Sequence, residues 1–550
     1  MLDTACVTPS CRHRSHIWER DGVKASASLM DSGTVHPPQI WSERLEYLYT
    51  SVTPYWARRH LMPRPALLVT TTLTGTALLV ASLAGLPADA AGDGAPSAPE
   101  PAAAPPVPAV ESAETLANGP RYETATDGTV YSPLDEPAFI AGHDNGQSAG
   151  YDNGRGLRFS YWSFGDTGLT EPNGDGVNFL GNTGARTYDL DMSDSISDWQ
   201  YDGGPDGPRE FVQLNDDEEA WSHEHADTDP DTAGCQPAAG VDWMQCGDHL
   251  AIWGGSIVAD NARDRILAFY AVITRYHYRL AERPNPDDPN NPLPCTDEDI
   301  ANRVEACRGL SFDGVGLGVA VWTEDPADGD GWARQVVAHP DDPANPTALW
   351  DWDTDPSTPD RAFDKGMMIH GHHLYAYGCW GFLASECRVA RVLMGKPDAV
   401  WDRSAWEFYA GESRDPRQCP RPWSKDIACA VPAPAEGTPN ALTAGAAGSS
   451  VFWNPYFELF MTIYSVPLSN DLHYRVAQRP EGPWSRAHFL GRALPAAGTG
   501  LGSISYAGFA HPEYAEQDGR VQYVTYAHST AIFSSDFPVL KVTFADRAGS

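Results

Sequence analysis

Two aspartates carry the first chemical signal in this chain, Asp144 and Asp166, in the stretch AFIAGHDNGQSAGYDNGRGLRFSYWSFGDT on either side of the turn Asp152-Asn153-Gly154. Each acid sits in a strand-like run among small or aromatic residues, so the stretch predicts a β-hairpin with one acid per strand. A carboxyl group in such a run costs free energy unless it is hydrogen-bonded. Two carboxyl groups in distinct environments are what glycoside cleavage needs, one protonated to assist the leaving oxygen and one ionised to activate water or attack the sugar. Both acids reach the same end of the hairpin only if register and bulges permit it. The competing readings are a turn cap by Asp166 with Thr167 and an exposed loop position for Asp144.

Other polar and aromatic residues are candidates for holding a sugar. Asp364 lies just before Gly366-Met367-Met368, and His511 and Glu513 fall in Ala510-His511-Pro512-Glu513-Tyr514. Trp162 and Trp253 could stack on sugar faces, although a tryptophan in an all-β fold also serves as core. A histidine near a strand end either donates to a sugar hydroxyl or acts as a satisfied structural donor. No metal is expected, because neither His370, His372 and His373 nor His223 and His225 show a zinc spacing, and no C-x-x-C occurs. No cofactor is implied either: the chain has no phosphate loop and no H-E-x-x-H helix.

Positioning these residues requires a scaffold, and the chain reads as mostly β. Short β-branched or aromatic runs bounded by Gly, Asp, Asn or Pro recur from Phe139 to Ala527. A small-residue strand followed by a turn and an aromatic strand appears in GGSIVADNARDRILAFYAVI, GMMIHGHHLYAYGCW, SSVFWNPYFELFMTIYS and YAGFAHPEYAEQDGRVQYVTYA. With the acidic hairpin that makes five copies, which predicts an all-β, five-bladed β-propeller whose small-residue strands crowd around the axis. A β-sandwich is the rival, but the length would require more than one.

The formal net charge of −36 argues against nucleic acid as a partner, since a polyanion needs Lys and Arg to displace its counterions. Arg58, Arg59 and Arg64 precede the apolar run Ala66 to Leu86, which ends in Ala88-Asp89-Ala90, so residues 58–90 read as an export signal that leaves no stable membrane span after processing. Residues 1–57 then read as an upstream extension from an overlong start, 91–120 as an Ala/Pro-rich tether, and 121–546 as the propeller. Eight of the ten cysteines lie beyond that signal as four near neighbours, 235 with 246, 295 with 307, 379 with 387 and 419 with 429. An even count in local pairs predicts four short disulfides formed after export. A secreted or cell-wall-associated monomer is expected.

A family resemblance rests on several segments taken in order: Phe164-Gly165-Asp166-Thr167, Trp253-Gly254-Gly255, Val389-Ala390-Arg391-Val392 leading to Trp406-Glu407-Phe408-Tyr409-Ala410-Gly411, Tyr474-Arg475-Val476-Ala477 leading to Pro480-Glu481-Gly482-Pro483-Trp484-Ser485, and Tyr506-Ala507-Gly508-Phe509-Ala510-His511-Pro512. Together they resemble the domain-of-unknown-function family numbered 4185, which includes the endo-D-arabinofuranases of glycoside hydrolase family 183. Where members often read Gly-Thr-Asp-Leu-Gly in the first strand, this chain reads Gly142-His143-Asp144-Asn145-Gly146 and retains the acid. The resemblance implies a glycoside hydrolase acting on a furanoside polysaccharide such as cell-wall D-arabinan, at an axial funnel. The alternative from another class is a non-catalytic glycan-binding propeller.

Overall fold

The computed structural model describes residues 106–547 except for 205–206, 227–246, 277–281, 286–290, 297, 300–301, 303, 308–310, 325–330, 339–345, 352–362, 381–385, 413–416, 418, 438–447, 497–504 and 532–533. The expected export signal and the Cys235–Cys246 pair lie outside the described residues.

Five antiparallel sheets of four or five strands each form a five-bladed β-propeller. Their innermost strands are Ile140–Asp152, His249–Asp260, Gly366–His370, Ser450–Asn454 and Tyr506–Ala510. In blades 1 to 4 the chain starts at the axis and runs outward. Contacts pass from the first innermost strand to the second, third and fourth, then through Leu459–Ser465 to Tyr506–Ala510 and back to Ile140–Asp152, which closes the ring. Crowding at the axis explains the small residues there. A Cβ on Gly254 would stand 3.0 Å from Ser163 Oγ and 3.1 Å from the Phe164 carbonyl, tighter than nearly all real contacts.

Apolar side chains fill the gaps between blades, one cluster per gap. Between blades 2 and 3, for example, Leu267, Phe269 and Val319 meet Leu374, Ala390 and Trp406. The other four gaps hold equivalent clusters. Burying the two faces of each sheet in this way removes the large apolar area that stabilises the ring.

The boundary expected at residue 121 is too late. Residues Val110–Thr115 form the outermost strand of blade 5, paired antiparallel with Val539–Phe544. Val107 and Val110 pack on the core between blades 4 and 5, and the Pro108 carbonyl accepts a hydrogen bond from Tyr474. The first strand thus completes the last sheet, so part of the presumed tether belongs to the folded unit. An edge strand earns its place mainly through backbone pairing and needs few large side chains, which is why composition concealed it.

Three of the expected disulfides are formed, Cys295–Cys307, Cys379–Cys387 and Cys419–Cys429. One α-helix stands out among the described residues, Asp216–His225, capped by Asn215 with Glu218 in a capping box. It packs on the innermost strand of blade 2, and Glu218 accepts from Arg334 of that blade. No helix among the described residues is long and apolar enough to cross a membrane.

Candidate active site

The two acids meet because the hairpin is irregular where they stand. Ile140–Asp152 pairs with Arg158–Leu169, but the register shifts on both sides of Asn145. His143 opposes Thr167 and Asn145 opposes Phe164, so the single residue Asp144 faces two, Gly165 and Asp166. Bulges of this kind re-aim side chains. Asn145 and Gly146 follow with φ of 65° and 85°, the left-handed region that asparagine and glycine tolerate. Asp166 is therefore a mid-strand residue and not a turn cap.

The neighbours of Asp144 hold it in place. His143 turns to the opposite side of the strand, where it is buried, stacked on Phe164 at 3.7 Å and hydrogen-bonded to Glu136. Its carbonyl accepts from Ser535 Oγ at 2.6 Å. Toward the axis the Asp144 carboxylate accepts from the backbone N–H of Asp166 and, at 3.5 Å, from the Tyr506 hydroxyl of blade 5. Gly165 makes the approach possible, since any Cβ there would overlap Asp144 Oδ1 and lie 2.7 Å from Asn145 Nδ2.

Asp166 is held differently. Its Oδ1 accepts from Trp253 Nε1 at 3.1 Å and from the Arg275 guanidinium, both supplied by blade 2. Arg275 in turn lies over the rings of Phe179 and Trp253, at 5.5 and 5.8 Å from their centroids. Asp166 Oδ2 accepts no hydrogen bond from the described residues, and a third of the side chain remains accessible, 32%.

These surroundings divide the protonation of the pair. Burial, and then repulsion from the Asp166 charge, push Asp144 up to about 7, and Arg275 opposes this from farther away. Burial also raises Asp166, but the bonded guanidinium and the Trp253 N–H pull it back toward the ionised form. Both carboxyl groups are thus raised, and Asp144, which no cation bonds directly, is the one that holds a proton more readily. One acid able to give a proton beside one able to accept or attack is a working arrangement for acid–base chemistry.

The remaining candidates separate into two groups. Asp364 stands at the same end as the pair, at the start of blade 3, where a Cβ on Gly255 would lie 3.4 Å from its own Cβ. Its Oδ2 accepts from Lys365 at 3.1 Å, its buried Oδ1 has no partner among the described residues, and no hydrogen bond joins it to the pair there. Trp253 reaches the site, though as a donor to Asp166 and with Phe312 against its ring at 4.6 Å.

His511, Glu513 and Trp162 are displaced from the expected role. Innermost strands of adjacent blades run side by side, so Tyr506 meets Asp144 while His511 meets Ser148, on the order of 13 Å farther along the strand at 3.3 Å per residue. His511 is fully buried between Ser148 and Thr525, at 2.6 and 2.8 Å, and its burial lowers its pKa to about 3. Glu513 accepts from Ser148 and from Ser160. Trp162 is fully buried, stacked on His511 at 4.3 Å, and offers no face to a ligand.

Arg275, Tyr506 and Gly165 are the participants that sequence reasoning did not select. Arg275 is the last residue but one of the apolar run RILAFYAVITRY, and nothing in that run points it at Asp166. Only the packing of blade 2 against blade 1 assigns it to Asp166.

No family model matches the chain, and no curated protein does. Solved structures similar in shape include a putative hydrolase from Bacteroides ovatus, 14% identical over 75% of this chain and 87% of that one, with a TM-score of 0.41. A family 43 glycoside hydrolase enzyme from Xanthomonas citri complexed with xylotriose is 11% identical over 76% and 93%, TM-score 0.34. A family 43 β-xylosidase/α-arabinofuranosidase from a compost microbial metagenome is 10% identical over 78% and 98%, TM-score 0.36.

Proposed function

We propose that this protein is an exported glycoside hydrolase that cleaves a furanoside polysaccharide, with D-arabinan as the substrate class suggested by the family resemblance. Asp144 is the general acid, and its proton passes to the glycosidic oxygen as the bond to the anomeric carbon breaks. Asp166, its Oδ1 bonded to Arg275 and Trp253, acts on the attacking side through Oδ2, either taking a proton from the water that bonds the anomeric carbon or bonding that carbon itself until water displaces it. Tyr506 and the Asp166 backbone N–H orient the acid.

The observation that carries this reading is the pair itself: two carboxyl groups on paired strands at a bulge, one raised to about 7 by burial and by its partner's charge, the other bonded to a guanidinium. Perturbed carboxyl groups of opposite protonation at an accessible position are the requirement for glycosidic cleavage. The three disulfides support export, since such bridges persist in oxidising compartments.

Product analysis tests the proposal. The purified protein is incubated with a panel of furanose and pyranose polysaccharides that includes D-arabinan, and the expected result is oligosaccharides released from the furanoside polymer. Retention on an immobilised polysaccharide without any product would replace the hydrolase by a glycan-binding propeller.

A further inference from the structure

Beside the acid pair, on the blade 1 to blade 2 side, lies an open cleft of about 420 Å³. That volume falls within the range of about 300–1,000 Å³ in which small-ligand sites are found. Its walls come from three sources: the excursion 173–181 of blade 1, the end of the strand Arg265–Tyr276 with the start of His249–Asp260, and the Asp216–His225 helix with the segment before it. Arg275 lines the cleft and also bonds Asp166, so one side chain separates the cleft from the candidate reacting centre. Phe179, whose ring lies under the Arg275 guanidinium, belongs to a strand and pairs there with Gly168, two residues beyond Asp166.

The lining discriminates by charge. Each of its two guanidinium groups already has a carboxylate, Arg209 with Asp175 at 2.7 Å and Arg275 with Asp166. Glu210 and Glu219 add further acid, and the whole chain carries −36. An anionic ligand would enter a negative field without a spare cation among the described lining residues. A neutral polyhydroxyl ligand finds carboxylate acceptors, the exposed amide of Gln213 and the partly exposed ring of Phe179.

We propose that this cleft is a glycan subsite that holds neutral sugar units flanking the scissile bond, so that the protein selects uncharged polysaccharide over uronate or phosphorylated chains. The proposal rests on the hydrolase reading for the identity of the neighbouring site, but its binding test does not require turnover. Arg275 then touches both the flanking unit and Asp166, which links occupancy of the cleft to the position of the reacting carboxylate.

The test uses the full chain carrying Asp144→Asn, titrated with D-arabinan oligosaccharides of five units and with oligogalacturonates of the same length at low salt. The neutral ligand should bind at least about tenfold more tightly than the acidic one. Gln213→Trp with Glu219→Trp, both at exposed positions, fills the cleft and should weaken neutral binding about tenfold. In the chain with Asp144 restored, the same double substitution should raise KM on the polymer about tenfold and leave hydrolysis of a short aryl arabinofuranoside unchanged.

Equal binding of the two ligands, no binding of the neutral one, or binding and KM indifferent to the double substitution would each overturn the subsite. Loss of binding in the double variant of a protein that hydrolyses nothing would keep the subsite and remove the hydrolase reading. Hydrolysis that the double substitution leaves intact on polymer and aryl glycoside alike would do the reverse.

Discussion

At Asp144 the innermost strand of blade 1 presents a carboxyl group to a second carboxyl group, whereas four residues on, at Ser148, it presents a hydroxyl that joins His511 to Glu513. Both clusters contain a carboxyl group whose pKa burial raises, Asp144 in one and Glu513 in the other. They differ in what surrounds it. Glu513 is met by the hydroxyls of Ser148 and Ser160, and its neighbour His511 is sealed between two hydroxyls and a tryptophan ring. Asp144 faces a partner whose charge a guanidinium holds in place. A raised pKa alone therefore does not mark a reactive site, because hydroxyl donors satisfy a carboxyl group without giving it a partner of opposite protonation.

The largest expected contrast is in turnover. Asp144→Asn and Asp166→Asn should each lower kcat at least about 100-fold on the cleaved polysaccharide, the low end of general acid or base contributions. Glu513→Gln, which keeps the shape and acceptor of its side chain, should change kcat less than about threefold. Steady-state kinetics of the three variants breaks the comparison if Glu513→Gln falls with the others.

A steric pair sharpens it. Gly165→Ala places a methyl group on the Asp144 carboxyl oxygen and should reduce kcat about tenfold or more. Gly150→Ala places one 2.6 Å from Glu513 Cβ, in the other cluster, and should lower the melting temperature by several degrees while kcat stays near wild type. Thermal denaturation beside kinetics separates the two. A Gly150→Ala enzyme that melts normally but turns over slowly would reverse the assignment of the clusters.

The pH dependence gives a smaller and signed effect. Turnover should decline as pH rises through about 7, where Asp144 loses its proton. Its folded pKa exceeds its unfolded value near 4, so its contribution to stability is fully present below about 4 and disappears as pH rises through about 7. Asp144→Asn should accordingly gain stability relative to wild type at pH 8 and little at pH 4. Glu513→Gln should shift the stability curve in the same sense, because burial raises that group too, and should leave the pH profile of turnover untouched. Melting curves and pH–rate profiles of both variants check this.

Much of this architecture is legible in the residues. Glycine- and alanine-rich strands that open several blades, such as Ile140–Asp152 and Tyr506–Ala510, announce the axis because small residues relieve the crowding there. The acids Asp144 and Asp166 stand out as charges in apolar strands. What the sequence conceals is geometric. The bulge that turns Asp144 toward Asp166 depends on a register shift of the paired strand. His511 is only five residues from Tyr506, yet an extended strand carries it away from Asp144, and spacing in sequence does not reveal which end is accessible. Trp162 reads as a stacking platform until the gap between blades 5 and 1 encloses it. Val110–Thr115 is the longest-range case, since its partner lies at the far end of the chain.

Leaving-group dependence tests the central assignment most directly. On a dinitrophenyl furanoside, whose leaving group departs without a proton, Asp144→Asn should recover most of the turnover it loses on the polymer, whereas Asp166→Asn should stay at least about 100-fold impaired on both. If Asp144→Asn is equally slow on the two substrates, or if the activated substrate restores Asp166→Asn instead, the division of roles between the two acids is contradicted.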